Sequence, residues 1–133
     1  MKRFSYSLLI LVSLAFGGGA AQKATPSTKG KARLKIEILY FESCPSYKKA
    51  ILNVKAALKE ENIQADLRLI EVATAEKAEK VGFQGSPSIR INGKDMEGRD
   101  EGYSFSCRLY NVNGKPETAP SKEYIEEKLQ QFR

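Results

Sequence analysis

Two cysteines and no histidine occur in the 133 residues, so nucleophilic chemistry in this chain falls first to a thiol. Cys44 lies where an apolar run stops and an amphipathic segment starts, in Leu34–Tyr47, LKIEILYFESCPSY. Pro45 follows it, and proline is best tolerated at the first position of a helix, where its missing N–H breaks no bond. That order predicts Cys44 as the N-cap of a helix. A sulfur there faces unpaired backbone N–H groups and the positive end of the helix dipole. Both favour the thiolate, which is the reactive form at neutral pH. The partner question turns on Cys107. A Cys44–Cys107 bond would close a loop of about 60 residues, worth on the order of 4 kcal/mol in the chain-entropy model. A structural bridge and a redox-active pair are both open on these grounds.

Other chemistries find fewer donors. Structural zinc takes four ligands, typically Cys and His, so two cysteines without histidine predict no metal site of that kind, and no cofactor is expected. A soft ion such as Cu(I) or Hg(II) could accept two thiolates. That keeps a non-enzymatic module binding a soft metal, an organomercurial or a thiol ligand as one alternative to thiol–disulfide exchange, and a catalytically silent domain with a structural Cys44–Cys107 disulfide as the other. Glu42 and Asp100 are the carboxylates nearest in sequence logic to the cysteines, and both read as surface groups. Arg108, beside Cys107, reads as a solvated surface arginine.

The elements that must position these residues begin after a leader. Lys2 and Arg3, the apolar Phe4–Phe16 and the small residues Gly17–Ala21 read as a secretory signal over 1–21. The apolar part is shorter than the roughly 20 residues of a membrane-spanning helix. A retained anchor is the one way this chain would meet a membrane. Residues 22–32, QKATPSTKGKA, read as a flexible linker, and 33–133 as one domain. Loss of Lys2 and Arg3 would lower the formal charge of +6 by two. Many remaining lysines alternate with glutamates, as in Lys77, Glu79 and Lys80, the pattern of a solvated helix face. No nucleic-acid partner is expected. Export points to a periplasmic or secreted location, where disulfides persist.

Within the domain, Leu34, Ile36, Ile38 and Tyr40 alternate with Lys35 and Glu37 as in a strand, and Leu39 and Phe41 fill its other face. Tyr47, Ala50, Ile51, Val54, Ala57 and Leu58 recur at helical spacing up to Glu61–Asn62. Ala65–Val72 reads as a second strand, completing a parallel βαβ unit. Thr74 caps a short helix over 75–81 that Gly82 closes. A third strand over 88–92 meets Asn92–Gly93, a strong hairpin signal, and 94–98 returns. Residues 99–118 read as long and irregular, with Tyr103, Phe105, Cys107 and Leu109 alternating. Pro120 and Ser121 open a terminal helix carrying Tyr124, Ile125, Leu129 and Phe132 inward. The third strand starts and the fourth ends at the Cys44 end of the sheet, so this order carries Cys107 back toward Cys44.

The resulting order, β-α-β-α-β-β-α with a mixed central sheet flanked by helices, resembles the thioredoxin-like superfamily over roughly 34–132. Two local features carry the resemblance: the strand–Cys44–Pro45–helix junction and Gly85–Ser86–Pro87–Ser88 before the third strand. Together with GSPSIRINGKD and SCRLY, they look most like small thioredoxin-like proteins with a lone Cys–Pro, some labelled as similar to alkylmercury lyases. The resemblance implies a cis-proline at Pro87 facing Cys44, and an isomer that costs an X–Pro bond little. It also implies Pro45, Tyr47, Ser86 and Pro87 as substrate-binding positions, with an extended peptide paired beside Pro87. The expected partner is a disulfide- or thiol-containing protein or a small thiol. The departure lies at Tyr47, where ordinary thioredoxins carry a second cysteine. A phenol resolves no mixed disulfide, so the expected exchange uses Cys44 as nucleophile and Cys107 as a resolving or bridging partner.

Overall fold

The computed structural model describes residues 33–133; the signal over 1–21 and the linker over 22–32 lie outside the described residues. The described chain is a mixed α/β structure of three helices and a mixed four-stranded sheet with two small accessory sheets. Strand β1 (Leu34–Tyr40) runs at its centre, parallel to β2 (Ala65–Glu71) and antiparallel to β4 (Ser88–Ile91). The two-residue β5 (Lys94–Asp95) closes the sheet beside β4, giving the order β2-β1-β4-β5. Helix α1 (Ser46–Glu60) joins β1 to β2, α2 (Ala75–Val81) follows β2, and α3 (Lys122–Gln130) ends the fold.

Each face of the sheet owns a core, because successive side chains of a strand point to opposite sides. Ile36 and Ile38 of β1 and Ile89 and Ile91 of β4 pack with Ala50, Val54 and Ala57 of α1 and Ile125 and Leu129 of α3. Leu39 points the other way, to Val72, Ala78 and Phe83. The helix ends follow local chemistry. Thr74 Oγ1 accepts from Lys77 N–H at 3.2 Å, and Gly82 terminates α2 in the left-handed region. Ser121 Oγ accepts from Tyr124 N–H at 3.2 Å at the start of α3.

Two expectations need correction. The returning strand stops at Asp95 rather than continuing to Gly98, because the Asp95 carboxylate turns back to accept backbone N–H groups of Glu97 and Arg99 at 2.9 and 3.3 Å. Residues 99–118 are not irregular throughout. Strand β3 (Gln84–Ser86) pairs in parallel with β6 (Ser104–Cys107), and β7 (Tyr110–Val112) forms a hairpin with β8 (Lys115–Glu117). Asn113 and Gly114 both hold positive φ at the tip of that hairpin, as Asn92 and Gly93 do between β4 and β5, the conformation that tight hairpin turns require. Tyr110 anchors the segment: it is fully buried, and its hydroxyl donates to the Pro87 carbonyl at 2.6 Å.

Candidate functional site

Cys44 sits in the tight connection from β1 to α1, where its N–H donates to the Phe41 carbonyl at 3.2 Å. The helix start lies one residue later than the sequence predicts. Pro45 already has helical dihedrals and is the N-cap residue, so Cys44 is the last residue outside the helix. No side chain caps α1; the Cys44 carbonyl instead accepts from Tyr47 N–H at 3.4 Å. Cys44 is only 3% exposed. Its Sγ lies 3.4 Å from Ser46 Oγ and 3.5 Å from the Ser86 carbonyl oxygen.

That sulfur is bonded to Cys107 in a disulfide with a Cα separation of 6.0 Å, inside the range a bridge needs. The two halves differ sharply: Cys44 is buried, whereas Cys107 is exposed on β6. Backbone pairing, as well as the bridge, places Cys107. Ser86 faces Cys107 across the β3–β6 pair, the Ser86 carbonyl accepts from Arg108 N–H at 2.8 Å, and the Phe83 carbonyl accepts from Ser104 N–H at 2.6 Å. Ser86 is thus the hub, since its Oγ also accepts from Phe41 N–H at 3.3 Å and ties the end of β1 to β3. The Ser86–Pro87 peptide bond is cis, as the resemblance implies, and Pro87 is buried beneath the site. Ser88 Oγ donates to the Gly85 carbonyl and holds the turn.

Gly85 is the closest steric constraint. It holds φ +92°, and a Cβ there would meet Arg108 Cβ at 3.0 Å and the Ser106 carbonyl oxygen at 3.1 Å. Gly85→Ala therefore costs both left-handed strain and a shift of β6 off β3. The expected loss is about 1–3 kcal/mol, checked by urea unfolding. Because β6 carries Cys107, air reoxidation of the reduced variant should also close the bridge more slowly than wild type. An unchanged midpoint and closure rate would contradict this packing.

Arg108 is not the solvated arginine expected from its sequence position. Its side chain is fully buried and forms two hydrogen bonds with the Asp95 carboxylate, at 2.6 and 2.8 Å, and a third with Glu97 at 2.9 Å. The guanidinium lies 4.6 Å from the centre of the Tyr110 ring. Its Nε is buried without a hydrogen-bond partner among the described residues. Burial pushes the Asp95 carboxyl up, but hydrogen bonding and attraction to Arg108 outweigh it and hold Asp95 below the usual carboxylate range. Burial and the hydrogen bond to Glu97 push the Tyr124 hydroxyl up to about 12, and that hydroxyl donates to Glu97 at 2.8 Å. Arg108, the residue after Cys107, thereby ties the end of β6 to Asp95 at the end of β5 and, through Glu97 and Tyr124, to α3.

Of the residues singled out from sequence, Cys44, Cys107 and Ser86 meet directly, with Pro87 adjoining them. Pro45 is exposed at the mouth of α1. Tyr47 turns its side chain away: the ring stacks on Tyr40 with centres 4.2 Å apart, and its hydroxyl forms no hydrogen bond with Cys44. Phe41, Phe83 and Phe105 form an aromatic wall, with Phe41 and Phe105 centres 5.1 Å apart. Sequence reasoning missed Ser46 as a neighbour of the sulfur, although it stands in the same CPSY motif. It also missed Arg108 with Asp95 and Glu97, whose pairing leaves no trace in local spacing. Among the described residues, no group of three or more His, Cys, Asp or Glu could hold a metal ion, and no helix is long and apolar enough to cross a membrane. Comparison with known proteins finds no matching family model, curated protein or solved structure.

Proposed function

We propose that this chain is an extracytoplasmic thioredoxin-like thiol–disulfide protein whose exchanging pair is Cys44 and Cys107. The observation that carries the reading is the disulfide itself together with its setting. One sulfur is buried at a helix start, and the other rides on a strand that is also tied to the fold by backbone pairing and by Arg108. A pair so held can open without dispersing, which suits repeated exchange.

The thioredoxin-like part of the reading is supported by the sheet order β2-β1-β4-β5 with one antiparallel hairpin, by Cys44–Pro45 before α1, and by Pro87 beside Ser86. A disulfide fits an oxidising compartment such as a periplasm or the cell exterior. In the exchange, a partner dithiol gives up two electrons and two protons and becomes a disulfide, while Cys44 and Cys107 become thiols; the reverse reaction reduces a partner disulfide. Tyr47 takes no part in the sulfur chemistry.

The test is insulin- and glutathione-disulfide exchange by the chain from residue 22 onward, across a range of thiol–disulfide potentials. Wild type should exchange, and Cys44→Ser and Cys107→Ser should each lose the two-thiol reaction. Equal inactivity of all three would end the enzyme reading. A bridge resisting reduction below about −300 mV would mark it as structural. Uptake of Cu(I) or Hg(II) by the reduced chain, lost in either serine variant, would instead favour the soft-metal alternative.

A further inference from the structure

We infer that the partner's thiolate enters at Cys107, not at Cys44, and that its carrier is an extended cysteine-bearing segment with apolar flanks. This rests on the exchange reading above and reverses the roles that sequence position alone suggests. Attack on a disulfide depends on which sulfur can be reached and on how well the other leaves. Cys44 is buried against Ser86 and Ser46, whereas Cys107 stands on exposed β6. The departing Cys44 sulfur has the Ser46 hydroxyl at 3.4 Å, a donor suited to a thiolate, and precedes the N-terminal end of α1; the Ser86 carbonyl oxygen at 3.5 Å is the one contact that suits the protonated thiol instead.

The surroundings of Cys107 define the carrier. Tyr103, Phe105 and Leu109 alternate with it along the chain and are 49%, 41% and 54% exposed. Phe105 shares β6 with Cys107, and Tyr103 and Leu109 stand just outside its two ends, so exposed apolar side chains flank the sulfur along the chain. Strand β6 also has a vacant edge. Ser104 and Arg108 direct their N–H groups to β3, so Phe105 and Cys107 direct theirs away, and β3 is the only strand paired with β6 among the described residues. An extended segment can add to that edge through its backbone while its own apolar side chains cover the flanking ones. Its thiolate attacks Cys107 Sγ, the Cys44–Cys107 bond breaks, and Cys44 leaves as a thiolate. A second thiolate on the partner then attacks the partner's own sulfur in the mixed disulfide. That step releases Cys107 and leaves the partner oxidised by two electrons.

The experiment mixes the oxidised chain with a synthetic valine-rich peptide carrying one cysteine, quenches with acid at early times, and maps the mixed disulfide by digestion and mass spectrometry. The peptide is expected on Cys107, with Cys44 free to be alkylated. Mapping to Cys44 would overturn the inference while leaving the exchange reading intact, and no exchange at all would remove both. In a second arm, Tyr103→Glu and Leu109→Glu are compared with wild type. Each should slow reaction with the peptide by about tenfold, the effect of withdrawing one leucine-sized apolar contact, and leave reaction with 2-mercaptoethanol unchanged. Equal slowing with both thiols, or none with either, would overturn the docking role of these side chains.

Discussion

Replacement of Arg108 by alanine is expected to lower stability by about 3–5 kcal/mol, because it leaves buried carboxylates without their counter-charge. Asp95 has a side chain 1% exposed and loses both of its bonds to the guanidinium; Glu97, at 12%, loses one. The measurement is the urea midpoint, with an unchanged slope showing that the folded state is otherwise intact. An Arg108→Met/Asp95→Leu double variant should recover much of the loss, since matched apolar groups avoid the desolvation of a lone charge. A single variant within 1 kcal/mol of wild type would refute the buried clamp. The pair also sets a pH dependence. The folded-state pKa of Asp95 is depressed below its unfolded value, so its contribution is fully present above the unfolded value near 3.9 and is lost as pH falls through the folded one. Acid unfolding of wild type should therefore steepen below about pH 4, and the double variant should lose that component.

Opening the Cys44–Cys107 bridge is the second large effect. With a sequence separation of 63, the chain-entropy model assigns the bridge about 4 kcal/mol. A domain near 100 residues has a total stability of roughly 5–15 kcal/mol. Cys107→Ser, and wild type under reducing agent, should therefore unfold at clearly lower urea concentrations than the oxidised chain. Both should nonetheless remain folded in water, with unchanged far-ultraviolet dichroism. The reason is that Tyr110 stays buried and bonded to the Pro87 carbonyl, and Arg108 keeps its carboxylates. Collapse of the structure on reduction would show that the bridge alone holds β6. The serine at position 107 adds no buried polar group, because Cys107 is exposed. Cys44→Ser offers the complementary test, since a hydroxyl there would find Ser46 Oγ and the Ser86 carbonyl within reach.

Much of the framework was legible from local pattern. The alternation in Leu34–Tyr40, the helical spacing from Ala50 to Leu58, the Thr74 and Ser121 caps and the Asn92–Gly93 turn each depend on residues near one another in the chain. The β7–β8 hairpin was equally legible, because Asn113–Gly114 is the same signal as Asn92–Gly93; the surrounding polar residues and Pro116 obscured it. The helix boundary at Cys44 differed by one residue because Pro45 is compatible with either side of a helix start.

The sequence by itself determined that any nucleophilic chemistry would be sulfur chemistry, that Cys44 would stand at the start of a helix, and that the hairpin would return Cys107 toward it. These follow from composition and short-range geometry, which each residue carries with it. Only the tertiary structure decided that the two sulfurs are joined, that Cys44 is the buried half and Cys107 the exposed one, and that Arg108 pins the strand between them and the core. Burial and ion pairing depend on distant segments meeting: Ser86 with Cys107, and Asp95 with Arg108. Alternation tells the faces of β1 but not of β6, where Tyr103, Phe105, Cys107 and Leu109 alternate as a buried face would and are exposed.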